Sequence, residues 1–258
     1  YELYVNGVLK NTITASGQYI TGLTPSTSYI ITLIAVDIFY NKSVVSNSIS
    51  TTTAVTGVPQ YGLVSYYKLD SNSNDSYGSN NGTDTSVSYV TGKIGNAGSF
   101  NGTSSKTVIG NPANLQLSTG TVSCWVKTSS PGGSYRSLFG KQSAYGMFLL
   151  DGILGYYNWG TFGGSGFKST GVDLRDGNWH HIVFVFESGT ANNKVYLDGV
   201  LKLTSSMSIG SQSDNIGIAF YYSGQNINAQ FDECSIYNTK LTQTEIDLLY
   251  NSGNGITL

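Results

Sequence analysis

A polar loop between Asp70 and Asn81 contains the residues in this sequence whose chemistry is easiest to recognise. Asp, Asn and Ser dominate the loop, and almost none of its side chains is apolar. Calcium takes roughly six to eight oxygen ligands from carboxylates, amides and backbone carbonyls, so such a loop can supply several. We expect Asp75 as a carboxylate ligand, with Asn80 or Gly78 adding further oxygens. The alternative is that these residues only form turns and cap their own backbone.

Aromatic side chains in Gly- and Asn-rich surroundings form a second set with a recognisable chemistry. Flat rings stack on the apolar faces of sugars, while neighbouring amides bind the hydroxyl groups. Consecutive tyrosines in a strand send one ring to each face, so about half of the paired rings are expected in the core. The predicted sugar-binding residues are Tyr156, Tyr157, Trp159, Phe162, Tyr221 and Tyr222, with Asn158, Gln225 and Asn226 as polar neighbours.

Catalytic constellations are not evident. Retaining glycoside hydrolysis needs two carboxyl groups about 5 Å apart. In a regular strand Glu233 points away from the adjacent Asp232, so these two cannot form such a pair. His180 and His181 would also point to opposite faces, with no nucleophile near them in the sequence, and a structural role is expected for both. We therefore expect a protein that is not an enzyme.

The elements that position these residues are strands, because the composition is that of a turn-rich β protein. The 258 residues include 32 Gly and 19 Tyr, and only 11% are charged. A net charge of -2 argues against nucleic acid as a partner, since phosphate binding needs a basic surface. No apolar run approaches the roughly 20 residues of a membrane-spanning helix, so membrane insertion is not expected either.

Residues 1–54 predict a run of short strands, with a tight hairpin turn at Asn6-Gly7. The segment Leu23-Thr24-Pro25-Ser26-Thr27-Ser28-Tyr29 and the strand after it resemble the tyrosine corner and last strands of a fibronectin type III domain. Such a domain has about 100 residues. The resemblance therefore implies only the C-terminal part of one, within a longer chain. Residues 55–61 have no periodic apolar face and predict a linker.

Residues 62–258 alternate short apolar runs with Gly, Asn and Ser at intervals of about 8 to 12 residues, which predicts an antiparallel sandwich or barrel. The runs Trp179 to Phe186 and Lys194 to Leu201 predict consecutive strands at its centre. One helix is predicted near the end, where Thr242 and Glu245 form a capping box.

An ordered series of motifs in this part resembles the laminin G-like, concanavalin A-like jelly-roll family over about residues 62–252. The motifs include Leu63-Val64-Ser65-Tyr66-Tyr67, Gly98-Ser99-Phe100-Asn101-Gly102, Val122-Ser123-Cys124-Trp125-Val126-Lys127, Tyr196-Leu197-Asp198-Gly199 and Phe231-Asp232-Glu233-Cys234-Ser235-Ile236-Tyr237-Asn238. The fold expected from the resemblance is all-β: an antiparallel β-sandwich jelly roll after a partial immunoglobulin-like fibronectin type III sandwich. The resemblance also implies that Asp232 joins Asp75 as a calcium ligand.

The two cysteines, Cys124 and Cys234, each lie in an alternating apolar strand. Two cysteines make neither a disulfide framework nor a zinc-type pair. If their strands are neighbours, the geometry allows a cross-strand disulfide. Two buried thiols are the alternative.

These observations predict a non-catalytic carbohydrate-binding or adhesion module, stabilised by calcium, in a secreted, cell-surface or phage virion protein. Its expected partners are glycans or cell-surface ligands, and its expected location is extracellular. One alternative is a structural module that contacts copies of itself or other modules of a longer chain. Another is an accessory domain of a polysaccharide-degrading enzyme.

Overall fold

The computed structural model describes residues 1–13, 20, 23, 28–52, 60–129, 134–219 and 224–258. It divides the chain into two units, Tyr1–Gly57 and Val58–Leu258. Of the predicted linker, 55–61, only the last two residues are among those described.

The N-terminal unit contains one antiparallel sheet. Its strands are β1 (Glu2–Val5), β2 (Val8–Thr12), β3 (Ser28–Ile34) and β4 (Ile49–Thr52), in the order β2-β1-β3-β4. Asn6 and Gly7 both have positive φ, as the predicted two-residue hairpin turn requires. Leu3 and Val5 are buried, whereas Val8 on the neighbouring strand is exposed. The sheet therefore buries apolar side chains of its central strand and leaves others open to solvent.

The fibronectin type III resemblance stays a prediction. Residues 24–27 of the proposed tyrosine corner lie outside the described residues, as does Tyr19 of a predicted short strand. Tyr29 is described and lies in β3, where it pairs with Thr51 of β4.

The second unit consists of sixteen described strands and one α-helix. The strands are β5 (Leu63–Tyr67), β6 (Thr83–Thr85), β7 (Ser88–Thr91), β8 (Asn96–Asn101), β9 (Lys106–Gly110), β10 (Thr119–Thr128), β11 (Tyr135–Ser137), β12 (Phe139–Lys141), β13 (Met147–Leu150), β14 (Ile153–Asn158), β15 (Gly166–Asp173), β16 (Trp179–Glu187), β17 (Thr190–Leu197), β18 (Val200–Met207), β19 (Ile216–Ile218) and β20 (Asn228–Tyr237). The α-helix, α1, spans Gln243–Tyr250, and two short 3₁₀ helices span Ala113–Leu115 and Asn251–Gly253.

Antiparallel pairing arranges these strands in one large and two smaller sheets. The eight-stranded sheet runs β18-β17-β16-β10-β20-β8-β7, and β5 also pairs with β20. The smaller sheets run β11-β13-β14-β15 and β12-β19-β9-β6, and only Leu138 separates β11 from β12 along the chain. The predicted all-β antiparallel jelly-roll class is confirmed.

One apolar core lies between the sheets. The large sheet contributes side chains such as Cys124 and Ile182, and the smaller sheets contribute Leu154, Tyr156 and Ile218. Each fully buried side chain of this size favours the folded state by roughly 1.5 to 3 kcal/mol. This core fixes which face of each strand is left for other roles.

Helix α1 covers part of the outer face of the large sheet. Thr242 accepts a hydrogen bond from the backbone of Glu245, whose side chain bonds back to Thr242, so the predicted capping box is confirmed. Ile246 and Leu249 face the sheet in a second apolar cluster that includes Tyr66 and Tyr237. In the part of the chain that the structure describes, no helix combines the length and hydrophobicity needed to cross a membrane.

Candidate functional site

Aromatic side chains cluster on the outer face of the β11-β13-β14-β15 sheet. Met147 and Leu149 of β13 point into the core, so the intervening Phe148 points outward. The register pairs Phe148 with Ser137 on one side and Gly155 on the other, and pairs Tyr157 with Phe167. Directly paired residues share a face, so three neighbouring strands place rings on the same outer side of the sheet, where Phe148 is 1% exposed.

The rings contact one another edge to face. The Tyr135 ring centre lies 6.1 Å from Phe148, 6.0 Å from Tyr157 and 5.7 Å from Phe167, at interplanar angles of 72° to 80°. The Trp159 ring centre is 4.4 Å from Tyr157 and 6.4 Å from Phe148. We call these five residues the aromatic cluster. Pairs at these distances stabilise each other, so the rings hold fixed orientations.

A pocket of about 250 Å³ opens on the aromatic cluster, lined by Tyr135, Phe148, Tyr157, Trp159 and Gln225. Trp159 Nε1 is buried and has no hydrogen-bond partner among the described residues. A buried donor without an acceptor is unfavourable, so this N–H would gain from any acceptor that reached it. The Gln225 Oε1 accepts from Ser137 Oγ at 3.2 Å, which orients the amide beside the pocket.

The loop after β14 is held by the buried side chain of Asn158. Its Nδ2 donates to the carbonyl oxygens of Phe162 and Gly164 at 2.7 and 2.8 Å, and its Oδ1 accepts from the Ser208 backbone at 2.8 Å. A Cβ on Gly160 would lie 2.2 Å from Ser208 Oγ, so only glycine fits this close approach. These contacts fix the backbone on which Trp159 lies.

The predicted calcium ligands occupy two separate hydrogen-bonding environments. Asp75 Oδ1 accepts from the backbone N–H groups of Tyr66, Tyr77 and Gly78, and its Oδ2 accepts from Asn80. Gly78 and Asn80 therefore meet Asp75 as N–H donors, and the carboxylate organises the loop.

Asp232 lies elsewhere on the large sheet. Its Oδ2 accepts from the backbone of Lys93 and Ile94 at 2.8 and 2.9 Å, and its Oδ1 accepts from Glu233. No group of three His, Cys, Asp or Glu side chains suited to a metal occurs in the described ranges. The four predicted residues do not form one oxygen shell, because N–H donors occupy both carboxylates. Calcium binding stays a prediction.

The comparisons with known proteins connect this architecture to a family. A laminin G-type family model, described as the concanavalin A-like lectin/glucanases superfamily, matches residues 101–247, more than half of the chain. The chain belongs to the concanavalin A-like lectin/glucanase superfamily. Strands β5, β7 and β8 precede or open the matched segment and complete the same eight-stranded sheet. No curated protein sequence matches the chain.

Solved structures similar to this superfamily member include binding domains and enzymes. Domain 4 of AbnA, a GH43 extracellular arabinanase from Geobacillus stearothermophilus solved with arabinotriose, has 23% identity and a TM-score of 0.59; the match covers 72% of this chain and 97% of that one. The binding domain of Paraclostridial Mosquitocidal Protein 1 has 17% identity and a TM-score of 0.60, with 74% and 52% covered. A Trypanosoma rangeli sialidase solved with sialic acid has 17% identity and a TM-score of 0.60, with 76% and 34% covered.

These similarities show the fold alone, because unrelated functions share it. The chain spans about half the length of the mosquitocidal binding domain and about a third of the sialidase.

The predicted sugar-binding residues of this superfamily member have different locations. Tyr157 and Trp159 line the pocket, whereas Phe162 lies 45% exposed on the loop held by Asn158 and does not line it. Tyr156 is fully buried, stacks on Phe184 at 4.4 Å and donates to the Ser206 carbonyl. Its assignment to sugar binding is therefore wrong, because the paired-tyrosine rule sends it to the core. Tyr221 and Tyr222 lie outside the described residues.

Sequence reasoning missed Tyr135 and Phe148 in the aromatic cluster. Phe148 lies in the apolar run Met147 to Leu150, whose sequence does not show which side chains face away from the core. The available signal was Gly155, which the register places opposite Phe148. A Cβ there would lie 2.6 Å from the Phe167 ring, so glycine leaves room for outward-facing rings.

A bulge in β20 corrects one step of the argument about catalysis. The β10–β20 register shifts between Ser123 and Trp125, and Glu233 has a φ of 49°. The extra residue breaks the alternation, so Asp232 and Glu233 both lie on the outer side of the sheet. Asp232 pairs with Trp125 there, and Glu233 accepts a hydrogen bond from Tyr66 OH.

Both carboxyl groups of this pair are closed to solvent. Burial raises the pKa of Asp232 to about 7, against the backbone N–H groups of Ile94 and Lys93 that lower it. Burial also raises the pKa of Glu233 to about 8, with the nearby Asp232 adding to the rise. Raised values of this kind occur at catalytic sites. Here, however, Asp232 is fully buried and Glu233 is 7% exposed, so no substrate reaches them in this arrangement.

The two histidines hold the scaffold. His181 is buried, bonds Ser123 Oγ through Nε2 at 2.8 Å and packs 5.2 Å from Trp125. Burial lowers the pKa of His181 to about 4. His180 Nδ1 bonds Asp198 at 2.7 Å and its Nε2 bonds Asp176 at 3.1 Å. The hydrogen bond to Asp198 raises the pKa of His180.

Proposed function

We propose that this chain is a non-catalytic carbohydrate-binding module whose aromatic pocket takes one neutral sugar residue. The observation that carries the proposal is the open pocket that Tyr135, Phe148, Tyr157 and Trp159 line together with Gln225. Rings supply flat apolar surface for the C–H face of a sugar, and polar groups placed among them fix its orientation. Trp159 Nε1 and the Gln225 amide would bind hydroxyl oxygens.

The size and charge of the pocket favour a single uncharged ring. Its volume of about 250 Å³ is below the roughly 300 to 1,000 Å³ of pockets that enclose drug-sized ligands. No charged side chain lines it among the described residues. An anionic sugar would lose hydration there without gaining a cationic partner, which is unfavourable.

Structural neighbours support the class of function. The arabinanase domain is described in complex with arabinotriose, and the mosquitocidal domain is described as a binding domain. The proposal extends to a secreted or surface protein in which residues 1–54 act as a fibronectin type III spacer. A spacer role predicts that removing residues 1–57 leaves sugar affinity within about twofold, because the pocket residues all belong to the second unit.

A glycan array followed by calorimetric titration tests the proposal. The wild-type chain is expected to bind neutral sugars, and Trp159→Ala is expected to weaken the strongest of them by roughly 30-fold or more, as for a central aromatic contact. Trp159→Phe keeps a ring but removes the N–H donor, and a loss of roughly 2- to 10-fold is expected. Wild-type affinity in the folded Trp159→Ala variant would contradict the proposed pocket.

A further inference from the structure

The only two cysteines of the chain meet in the core of the jelly roll. Cys124 lies in β10 and Cys234 in β20, which are adjacent antiparallel strands of the large sheet, and both are free thiols in the structure. Ser123 pairs with Ser235 and Trp125 pairs with Asp232, so Cys124 faces the bulged segment that contains Cys234. Both side chains are fully buried in the same apolar cluster.

Burial and, after it, the neighbouring Cys124 side chain raise the pKa of the Cys234 thiol, so the two side chains interact directly. Residues opposite one another in antiparallel strands have Cα atoms about 4.5 to 5.5 Å apart. Disulfides span Cα separations of about 4.4 to 6.8 Å, a range that adjacent residues of neighbouring strands can reach. Cys234 Sγ otherwise has a weak contact, 3.9 Å from the Asp232 carbonyl oxygen.

We propose that Cys124 and Cys234 form an intrachain disulfide when the chain folds under oxidising conditions. The oxidant is a small-molecule disulfide such as oxidised glutathione. One cysteine thiolate attacks it, forming a mixed disulfide and releasing one small thiol. The second cysteine thiolate then displaces the second small thiol, so the Sγ–Sγ bond forms, two protons leave the protein and the oxidant is reduced to two thiols.

Burial determines when this bond forms. The folded core excludes both the oxidant and the water that would stabilise a thiolate, and burial raises the pKa of the Cys234 thiol well above its ordinary value. Oxidation therefore precedes closure of the sandwich. Once formed, the disulfide is shielded from reductants, and it joins two central strands across more than a hundred residues of chain.

Refolding the denatured, reduced chain in a glutathione buffer, oxidised or fully reduced, tests the proposal. Soluble folded protein is then denatured, alkylated with iodoacetamide and weighed by intact mass spectrometry. The oxidised sample is expected to take up no alkyl group and to be two hydrogen masses lighter than the reduced chain. The reduced sample is expected to take up two. Folded reduced protein exposed to oxidised glutathione without denaturant is expected to keep both thiols.

Thermal melting supplies the second readout. The oxidised wild type is expected to melt roughly 5 to 15 °C above the reduced wild type, as a long closed loop predicts. The Cys124→Ala/Cys234→Ala double variant, refolded in both buffers, is expected to melt at one temperature. Two alkyl groups on the oxidised, monomeric wild type would overturn the proposal, as would a disulfide found only between chains on a non-reducing gel.

Discussion

The two outer faces of the jelly roll treat their polar and aromatic side chains in opposite ways. On the large sheet, Trp125 is 2% exposed and stacks with Tyr250 of α1 at 5.8 Å, while buried His181 and Glu233 lie on the same face. On the β11-β13-β14-β15 sheet, no helix covers the aromatic cluster in the described structure, and its rings border an open pocket. One face therefore stabilises the fold, and the other remains available to a ligand.

The comparison shows that strongly shifted pKa values need not occur at a site that is open to ligands. Glu233 and Asp232 have strongly raised carboxyl pKa values, yet both are buried. Glu233 accepts from Tyr66 OH, which in turn accepts from Leu258 N at 3.2 Å. Among the described residues, no carboxyl group lines the aromatic pocket. The proposed recognition therefore depends on ring faces and on uncharged hydrogen-bonding groups.

We call the outer face of the large sheet, which α1 covers in part, the closed face. Truncating a side chain on this face is expected to have the largest effect on stability. Trp125→Ala removes contacts with His181, Tyr250 and Lys93, and should lower the free energy of unfolding by about 3 to 5 kcal/mol. Chemical denaturation measures the loss. Sugar affinity of the folded fraction should not change, and a large affinity loss would break the division between the two faces.

We call the outer face of the β11-β13-β14-β15 sheet the open face. Truncating a side chain on this face should mainly weaken sugar binding. Tyr157→Ala removes one wall of the pocket and should weaken sugar affinity by roughly 10-fold or more by calorimetry. Phe162→Ala is the matched control, because this exposed ring lies nearby on the chain and does not line the pocket. Equal losses of affinity in the two variants would indicate that the sugar also contacts the loop that contains Phe162.

The closed face should also set the dependence of stability on pH. The pKa of Glu233 is about 8 in the folded protein and about 4 in the unfolded chain. The protonated side chain therefore makes its full contribution to stability below about pH 4. This contribution is lost as the pH rises through 8. The folded pKa of His181 is lowered to about 4, so its contribution is present above about 6.5 and is lost as the pH falls toward 4.

Melting temperatures measured between about pH 4 and 9 test both the loss of stability at high pH from Glu233 and the loss at low pH from His181. Wild type should lose stability toward each end, and Glu233→Gln should lose less than wild type between pH 6 and 9. The difference should reach a few kcal/mol, since one unit of pKa shift corresponds to about 1.4 kcal/mol. Sugar affinity should stay flat over this range. Identical alkaline losses in the two proteins would contradict the role of Glu233.

Calcium should have the smallest effect. Four backbone N–H groups already surround the Asp75 carboxylate, and three surround Asp232, so the structure leaves no shared oxygen shell. Melts in calcium and in chelator should agree within about 1 °C, since a ligand that does not bind the native state does not stabilise it. A clear rise with calcium would instead confirm the calcium prediction.

Much of the fold could be predicted from the sequence, because turn spacing and local capping carry the information. The Asn6-Gly7 turn and the Thr242 to Glu245 capping box have local causes, and both occur as predicted. The site was less predictable. Alternation says that one of Tyr156 and Tyr157 faces the core, but only the register of β14 with its neighbours shows which one.

Two other features needed the structure. The outward direction of Phe148 depends on β13 lying between β11 and β14, which the apolar run Met147 to Leu150 does not reveal. The bulge that puts Asp232 and Glu233 on one side depends on the left-handed backbone conformation of Glu233. This conformation is uncommon for Glu, so the sequence does not indicate it.

The most direct test of sugar binding at the aromatic pocket is a titration with the best sugar from the array, followed in the indole N–H region of a ¹H–¹⁵N NMR spectrum. The chain has three Trp residues, and Trp159→Phe assigns the signal from the pocket. If the pocket binds sugar, the Trp159 signal is expected to shift on sugar addition while those of Trp125 and Trp179 stay in place. A Trp159 signal unmoved at saturating sugar, or the absence of any bound sugar together with self-association, would contradict it.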